Sequence, residues 1–191
     1  MMTSAQAVSY WLLPSPEAQV RLNHLSAQAR ERISLGGEVS MLPPHITLYS
    51  HRLDTDQPSS QEQAIDRLQQ IADNHHAVLL FPKVIEATRM LTQSLVLRFN
   101  SEALAELHPL FLQLCSNSPA ELGYPLDPHL SLLYSQAPLE FRRELAKHLF
   151  LPTKPLMFER VSAVTHPLTI KSPTDIAACT TVHECSLVLS A

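Results

Sequence analysis

One short pattern occurs twice in the chain. PPHITLYS at Pro43–Ser50 returns as DPHLSLLYS at Asp127–Ser135. Both copies run proline, histidine, apolar residue, hydroxyl residue, apolar residue. In extended backbone successive side chains point to opposite faces. His45 and Thr47 therefore share one face of a strand, and Ile46 and Leu48 share the other. His129 and Ser131 separate from Leu130 and Leu132 in the same way. One face of each strand suits a core, while the other offers an imidazole and a hydroxyl. Two such strands facing each other would line a cleft with two histidines and two hydroxyls.

The surroundings of the two copies repeat as well. VSYWLL at Val8–Leu13 reads as a strand stopped by Pro14-Ser15-Pro16. Ser15 then caps a helix whose apolar stripe is Val20, Leu22, Leu25, Ala29 and Ile33, closed by Gly36-Gly37. The first motif strand follows. After a polar loop over Asp54–Ser60, a helix is predicted at Gln61–Asp73 with Ala64, Ile65, Leu68 and Ile71 on one face, then a β-like run at Ala77–Ile85. Beyond a turn at Thr88–Gln93 the order starts again. It runs through a strand at Ser94–Phe99 and a helix to Cys115 with Leu104, Leu107, Leu110 and Leu114 aligned. A loop over Ser116–Leu126, the second motif strand and a helix at Pro138–Phe150 follow. Strands at Leu156–Thr165 and Thr181–Leu189 close the chain, with Pro167–Thr174 as a loop or strand-edge excursion. Trp11 precedes His45 by the same interval as Leu95 precedes His129, and Leu79–Val84 aligns with Leu156–Val161. This is an internal duplication. The expected fold is α+β: residues 1–191 form a single domain of two repeated lobes, with motifs at 45–48 and 129–132. Two antiparallel sheets should line a central cleft about a pseudo-twofold axis, with helices outside.

Bulk properties exclude several classes. The formal charge of −4 argues against a protein that coats a polyanion, which needs a basic surface. Three cysteines without a C-x-x-C pair do not make a disulfide framework, although a Cys179–Cys185 bridge stays open. The N-terminus lacks a basic region followed by an apolar run, and no segment is long enough to span a bilayer, so a cytoplasmic protein without membrane partners is expected. A monomer is expected.

A lone His-apolar-hydroxyl-apolar string says little, and His24-Leu25-Ser26-Ala27 fits it too. That copy lies in a predicted helix, where residues two apart do not share a face, and it lacks the leading proline. The conjunction of strand context, leading proline and matching position singles out His45 and His129. His75-His76 and His183-x-Cys185 read as surface and strand-face residues rather than metal ligands, Arg142-Arg143 as a solvated helix face, and Cys115 as a small buried side chain. There is no phosphate-binding P-loop.

Two imidazoles across a cleft suit acid–base chemistry, because a pKa of about 6.5 lets one be neutral while the other is protonated. A phosphodiester uses both roles. A neutral ring takes a proton from water, and an imidazolium returns one to the departing alkoxide. The hydroxyls of Thr47 and Ser131 can donate to the non-bridging oxygens. The scheme requires no metal and no cofactor. Which histidine is acid and which is base stays open, because the motifs are nearly symmetric.

These residues resemble the 2H phosphoesterase superfamily. Within it the chain is most similar to the cyclic phosphodiesterase (2′,3′-cyclic-nucleotide 3′-phosphodiesterase) family of plants and fungi. The two motif strands carry the resemblance, together with YWLLPSP at Tyr10–Pro16 and the tyrosine five residues after the second histidine. The resemblance implies that His45 and His129 are catalytic, that Thr47 and Ser131 bind phosphate, and that Tyr134 contacts phosphate or substrate. By strict alternation Tyr134 points away from His129, so a bend in the strand is required. Trp11 either stacks on a nucleobase or sugar or belongs to the core. The implied activity is hydrolysis of nucleoside 2′,3′-cyclic phosphates to 2′-phosphates, or of ADP-ribose 1″,2″-cyclic phosphate. The alternatives are an RNA 2′,5′-ligase-like or RNA-end phosphodiesterase, acting on RNA ends, and a non-catalytic nucleotide- or phosphate-binding module.

Overall fold

In the computed structural model, which describes residues 5–33, 39–53, 59–116 and 125–189, the first strand β1 (Gln6–Pro14) is buried along almost its whole length. Its alternation divides two environments. Val8, Tyr10 and Leu12 enter the main core, whereas Ser9 and Trp11 line a cavity on the opposite face. Helix α1 (Pro16–Ile33) begins where Ser15 Oγ accepts the Ala18 N–H at 3.3 Å, with Pro16 in the first turn, where no N–H is needed. Its buried stripe is Ala18, Leu22, Leu25, Ala29 and Ile33. Val20, expected in that stripe, lies on the exposed side.

The remaining elements are β2 (Val39–Ser40), β3 (Ile46–Leu53), α2 (Ser59–Asn74), β4 (Val78–Leu80), β5 (Pro82–Glu86), a 3-10 turn (Leu91–Gln93) and β6 (Leu95–Phe99). They continue with α3 (Glu102–Ser116), β7 (His129–Ser135), α4 (Leu139–Lys147), β8 (Leu156–Pro167), α5 (Pro173–Ala177) and β9 (Thr180–Ser186). Gly36-Gly37, residues 54–58 of the first polar loop and residues 117–124 of the loop before the second motif lie outside the described residues. No described helix is long and apolar enough to cross a membrane.

Both sheets are antiparallel. The larger has the order β3-β1-β8-β4, with β9 beside β8, and the smaller has the order β2-β7-β6-β5. In each, a motif strand lies against the leading strand of its own half, and the third strand comes from the other half. β8 joins β1, and β5 joins β6. The first helices cross over in the same sense: α1 packs on β7, and α3 packs on β3. The apolar faces of both sheets and the four long helices enclose one continuous core.

Several boundaries differ from the sequence reading. The β-like run near residue 80 is two strands, because Phe81 separates the piece that pairs with β8 from the piece that pairs with β6. Leu104 is exposed and Ala103 takes the inward position on α3. The segment after β8 is not all loop, since α5 starts there with a reciprocal capping box between Ser172 and Asp175. Arg142 is buried rather than solvated. Its guanidinium donates to the carbonyls of Ala137 at 2.8 Å, Thr88 at 2.6 Å and Ser94 at 2.6 Å.

Candidate active site

The two motif strands share an irregularity that decides what faces the cleft. On β1, Tyr10 opposes Tyr49 and Trp11 opposes Thr47, so Leu48 is an extra residue in β3. On β6, Leu95 opposes Leu133 and Val96 opposes Ser131, so Leu132 is an extra residue in β7. Both strands therefore bulge three residues after the histidine. A bulge sets two residues of one strand against one of its partner and resets the alternation. Leu48-Tyr49 and Leu132-Leu133 both turn into the core as doublets, and the next residue, Ser50 or Tyr134, returns to the side of the histidine. This is the bend that Tyr134 requires. The same register makes Val96 the counterpart of Trp11, one residue away from the Leu95 that equal spacing suggested.

All six residues singled out from the sequence, His45, His129, Thr47, Ser131, Tyr134 and Trp11, line one cavity of about 270 Å³. Ser9, Ser50 and His166 also line it, and so do the apolar side chains of Leu42, Met90, Leu168, Ile170 and Ile176. No lysine or arginine belongs to this lining among the described residues. His24 sits elsewhere, on α1, with Nε2 bonded to Gln28 at 3.0 Å. His75, half-buried against Gln113 at 2.7 Å, is also remote from the cleft.

The two motif histidines are held alike. His45 Nδ1–H donates to the Pro43 carbonyl and His129 Nδ1–H to the Asp127 carbonyl, both at 2.7 Å. The Pro-His step thus supplies more than a strand start, because the backbone two residues earlier fixes each ring and leaves Nε2 for chemistry. Their surroundings then diverge. The His45 ring lies flat on the indole of Trp11, with centroids 3.6 Å apart and planes 9° from parallel. One face of Trp11 is thereby taken by His45, and the indole packs with Leu13 and Val164 in a small cluster. Burial, together with the neighbouring His129, pulls His45 down to about 4. His129 is also lowered by burial, but its Nδ1 lies 3.3 Å from the Asp127 carboxylate, which favours the imidazolium. Arg98 holds that carboxylate at 2.6 Å, is ion-paired to Glu86, and bonds Gln93 at 3.1 Å, while Gln93 donates to Asp127 at 3.1 Å.

The Thr47 hydroxyl belongs to the cavity wall, and Ser131 Oγ donates to the Thr92 carbonyl at 2.7 Å. Ser131 must turn from that carbonyl before it can donate to a phosphate. The three cysteines are free thiols. Burial pushes the cavity-lining Cys179 up to about 11, which keeps it protonated and unsuited to be a nucleophile. Ser9 and His166 lie outside the repeated motif, Ser50 closes its first copy, and the sequence reading singled out none of the three. The doublets Leu48-Tyr49 and Leu132-Leu133 were the available signal for Ser50, since two consecutive core residues in an alternating strand imply a phase change.

The family model of the 2′-5′ RNA ligase superfamily matches residues 14–167. No curated protein sequence matches the chain significantly. Among solved structures, TT0787 of Thermus thermophilus is similar at 16% identity and a TM-score of 0.60, over 95% of this chain and 97% of that one. E. coli LigT complexed with 3′-AMP is similar at 14% identity and a TM-score of 0.54, over 96% of this chain and 98% of that one. Usb1 of Kluyveromyces marxianus is similar at 12% identity and a TM-score of 0.53, over 95% and 99%. These likenesses establish the fold.

Proposed function

Because the chain belongs to the 2′-5′ RNA ligase superfamily, whose members process phosphodiesters, we propose that it hydrolyses small cyclic phosphodiesters, nucleoside 2′,3′-cyclic phosphates first among them. The observation that carries this reading is the pairing of His45 and His129 in one cavity, each with Nδ1 tied to backbone and each followed by a hydroxyl residue on the same face. Binding alone has no need of two titrating rings.

The asymmetry around the rings divides the roles. His45, held neutral, takes a proton from water as the water oxygen bonds to phosphorus. The bond to the ribose 3′-oxygen breaks in line, and the His129 imidazolium, favoured by Asp127, protonates that oxygen. The product is the 2′-phosphate. Thr47 and, after rotation, Ser131 donate to the non-bridging oxygens. Tyr134 contacts the phosphate from the strand that carries His129 and Ser131, and Trp11 positions His45 by stacking.

Charge and size agree with a small substrate. A cyclic diester carries one negative charge, which a single imidazolium matches in a cavity whose described lining offers no permanent cation. At about 270 Å³ the cavity lies near the lower end of ligand sites, which run from about 300 to 1,000 Å³. LigT complexed with 3′-AMP is a same-fold protein holding a mononucleotide.

The test is incubation with adenosine 2′,3′-cyclic phosphate in EDTA, with the product identified by chromatography. The expected result is adenosine 2′-phosphate, with kcat reduced about 10²–10⁴-fold in His45→Ala and His129→Ala and unchanged in His24→Ala. Near-normal turnover in either of the first two variants rules out the two-histidine mechanism. Turnover of oligonucleotides alone would point to RNA ends, and binding without turnover to a nucleotide-binding module.

A further inference from the structure

Three polar side chains stand in a row across the cleft face of the larger sheet, contributed by β3, β1 and β8. Ser50 Oγ lies 2.5 Å from Ser9 Oγ, and Ser9 Oγ lies 2.6 Å from His166 Nε2. The other nitrogen of that ring, Nδ1, lies 2.8 Å from the Pro167 carbonyl. A carbonyl only accepts, so Nδ1 carries the proton. Burial favours the neutral ring, whose Nε2 then holds a lone pair. Each serine has one proton to give. Ser9 gives its proton to His166 and must accept from Ser50, so Ser50 gives its proton to Ser9. Only the Ser50 lone pairs remain for the cavity that all three residues line.

Such an oxygen repels the non-bridging oxygens of a phosphate and attracts a neutral donor. Ser50 is also the counterpart of Tyr134, each being the first cleft-facing residue after its bulge. Where β7 projects a phenol into the cleft, β3 projects a short hydroxyl and leaves room. His166 is followed by Leu168 and Ile170, which wall the same cavity with apolar surface suited to a sugar or base.

We infer that the Ser50–Ser9–His166 relay fixes Ser50 as an acceptor, and that this oxygen selects a ligand carrying a hydrogen-bond donor on its nucleoside part, either the ribose 5′-hydroxyl or an exocyclic amine of the base. The inference deepens the proposed function, on which it rests for its ligand. Ser50 touches the ligand, while Ser9 and His166 are positioning residues that act through it.

Equilibrium binding separates this inference from the catalytic one. Dissociation constants are measured by calorimetry for adenosine 2′-phosphate, its 5′-deoxy analogue and purine riboside 2′-phosphate. Loss of the donor that Ser50 reads should weaken binding about tenfold, and the weakened analogue identifies which donor it is. In Ser50→Ala all three ligands should bind within about twofold of one another. His166→Phe frees the Ser9 proton and should flatten the preference in the same way, by acting through Ser9 and Ser50. A Ser50→Ala protein that keeps the wild-type ratio, or a wild type that does not discriminate, overturns the relay even if cyclic phosphate is hydrolysed. Discrimination that Ser50→Ala abolishes sustains it even if hydrolysis is not found. Failure to bind any of the three ligands overturns the relay and leaves the proposed function to the cyclic phosphate assay.

Discussion

At the scale of single residues, the two histidines are alike in sequence and unlike in their settings. Each is buried, and each gives its Nδ1 proton to a carbonyl two residues earlier. Only His129 has a carboxylate within reach, and only His45 lies on an indole. The pH profile should expose this difference. The base works once deprotonated, so kcat/KM should rise as pH climbs through about 4, where His45 loses its proton. The acid works while protonated, so kcat/KM should fall as pH climbs through the His129 value, which burial holds below the ordinary imidazole range. The optimum should therefore lie on the acid side of neutrality. Asp127→Asn removes the carboxylate that supports the imidazolium, and the falling limb should move to lower pH while the rising limb stays in place. A profile of kcat/KM against pH for the two proteins checks both statements, and an alkaline optimum would show that burial does not hold His129 below the ordinary imidazole range.

At the scale of elements, Arg142 shows how a helix is fastened to the sheet behind the cleft. Its guanidinium reaches from α4 to three carbonyls, two of them in the turn and strand start that precede the second motif's partner strand. Arg142→Ala leaves those acceptors buried without a donor, which should cost about 2–4 kcal/mol in urea denaturation. Arg142→Lys should recover little of this, because an ammonium cannot fork among three acceptors. From sequence this arginine looked solvated, since adjacent Arg142-Arg143 on a short helix gives no hint that one points inward. The motif strands were far more legible. Period-two alternation located His45, Thr47, His129 and Ser131, and these residues do line one cavity. Alternation failed where the ladder did, at the bulges, and a one-residue slip moves a side chain to the opposite face. His166 was illegible for another reason. It lies at the end of a strand from the second half that completes the sheet of the first, and no local pattern announces that exchange.

For the molecule as a whole, the exchange of third strands means that neither sheet belongs to one half of the chain. The two halves of the chain cannot separate without breaking the ladders between β1 and β8 and between β5 and β6, and both sheets share one core. Unfolding should therefore be a single transition, and acid should drive it. His45, His51, His129 and His166 are all held below the ordinary imidazole value, with burial as the leading cause each time. In the unfolded chain they titrate near about 6.5. Below that pH the unfolded state binds more protons than the folded one, so stability that is complete above about 6.5 is lost as pH falls toward the folded values. For His45, lowered to about 4, the loss over that interval is about 3 kcal/mol. The same drop in pH that puts the needed proton on His129 thus begins to loosen the fold that holds it. The thermal midpoint should fall steadily from pH 7 to pH 5. The fluorescence of Trp11, the single tryptophan and a reporter of the cleft, should change together with far-ultraviolet circular dichroism. His51 lies on the core side against Tyr10 and Tyr49, away from the cavity lining, so His51→Phe should flatten the pH dependence without altering the kcat/KM profile. A midpoint unchanged between pH 7 and pH 5 would show that the buried rings are not neutral in the folded protein. A fluorescence change that precedes the loss of secondary structure would show that the cleft opens without the sheets.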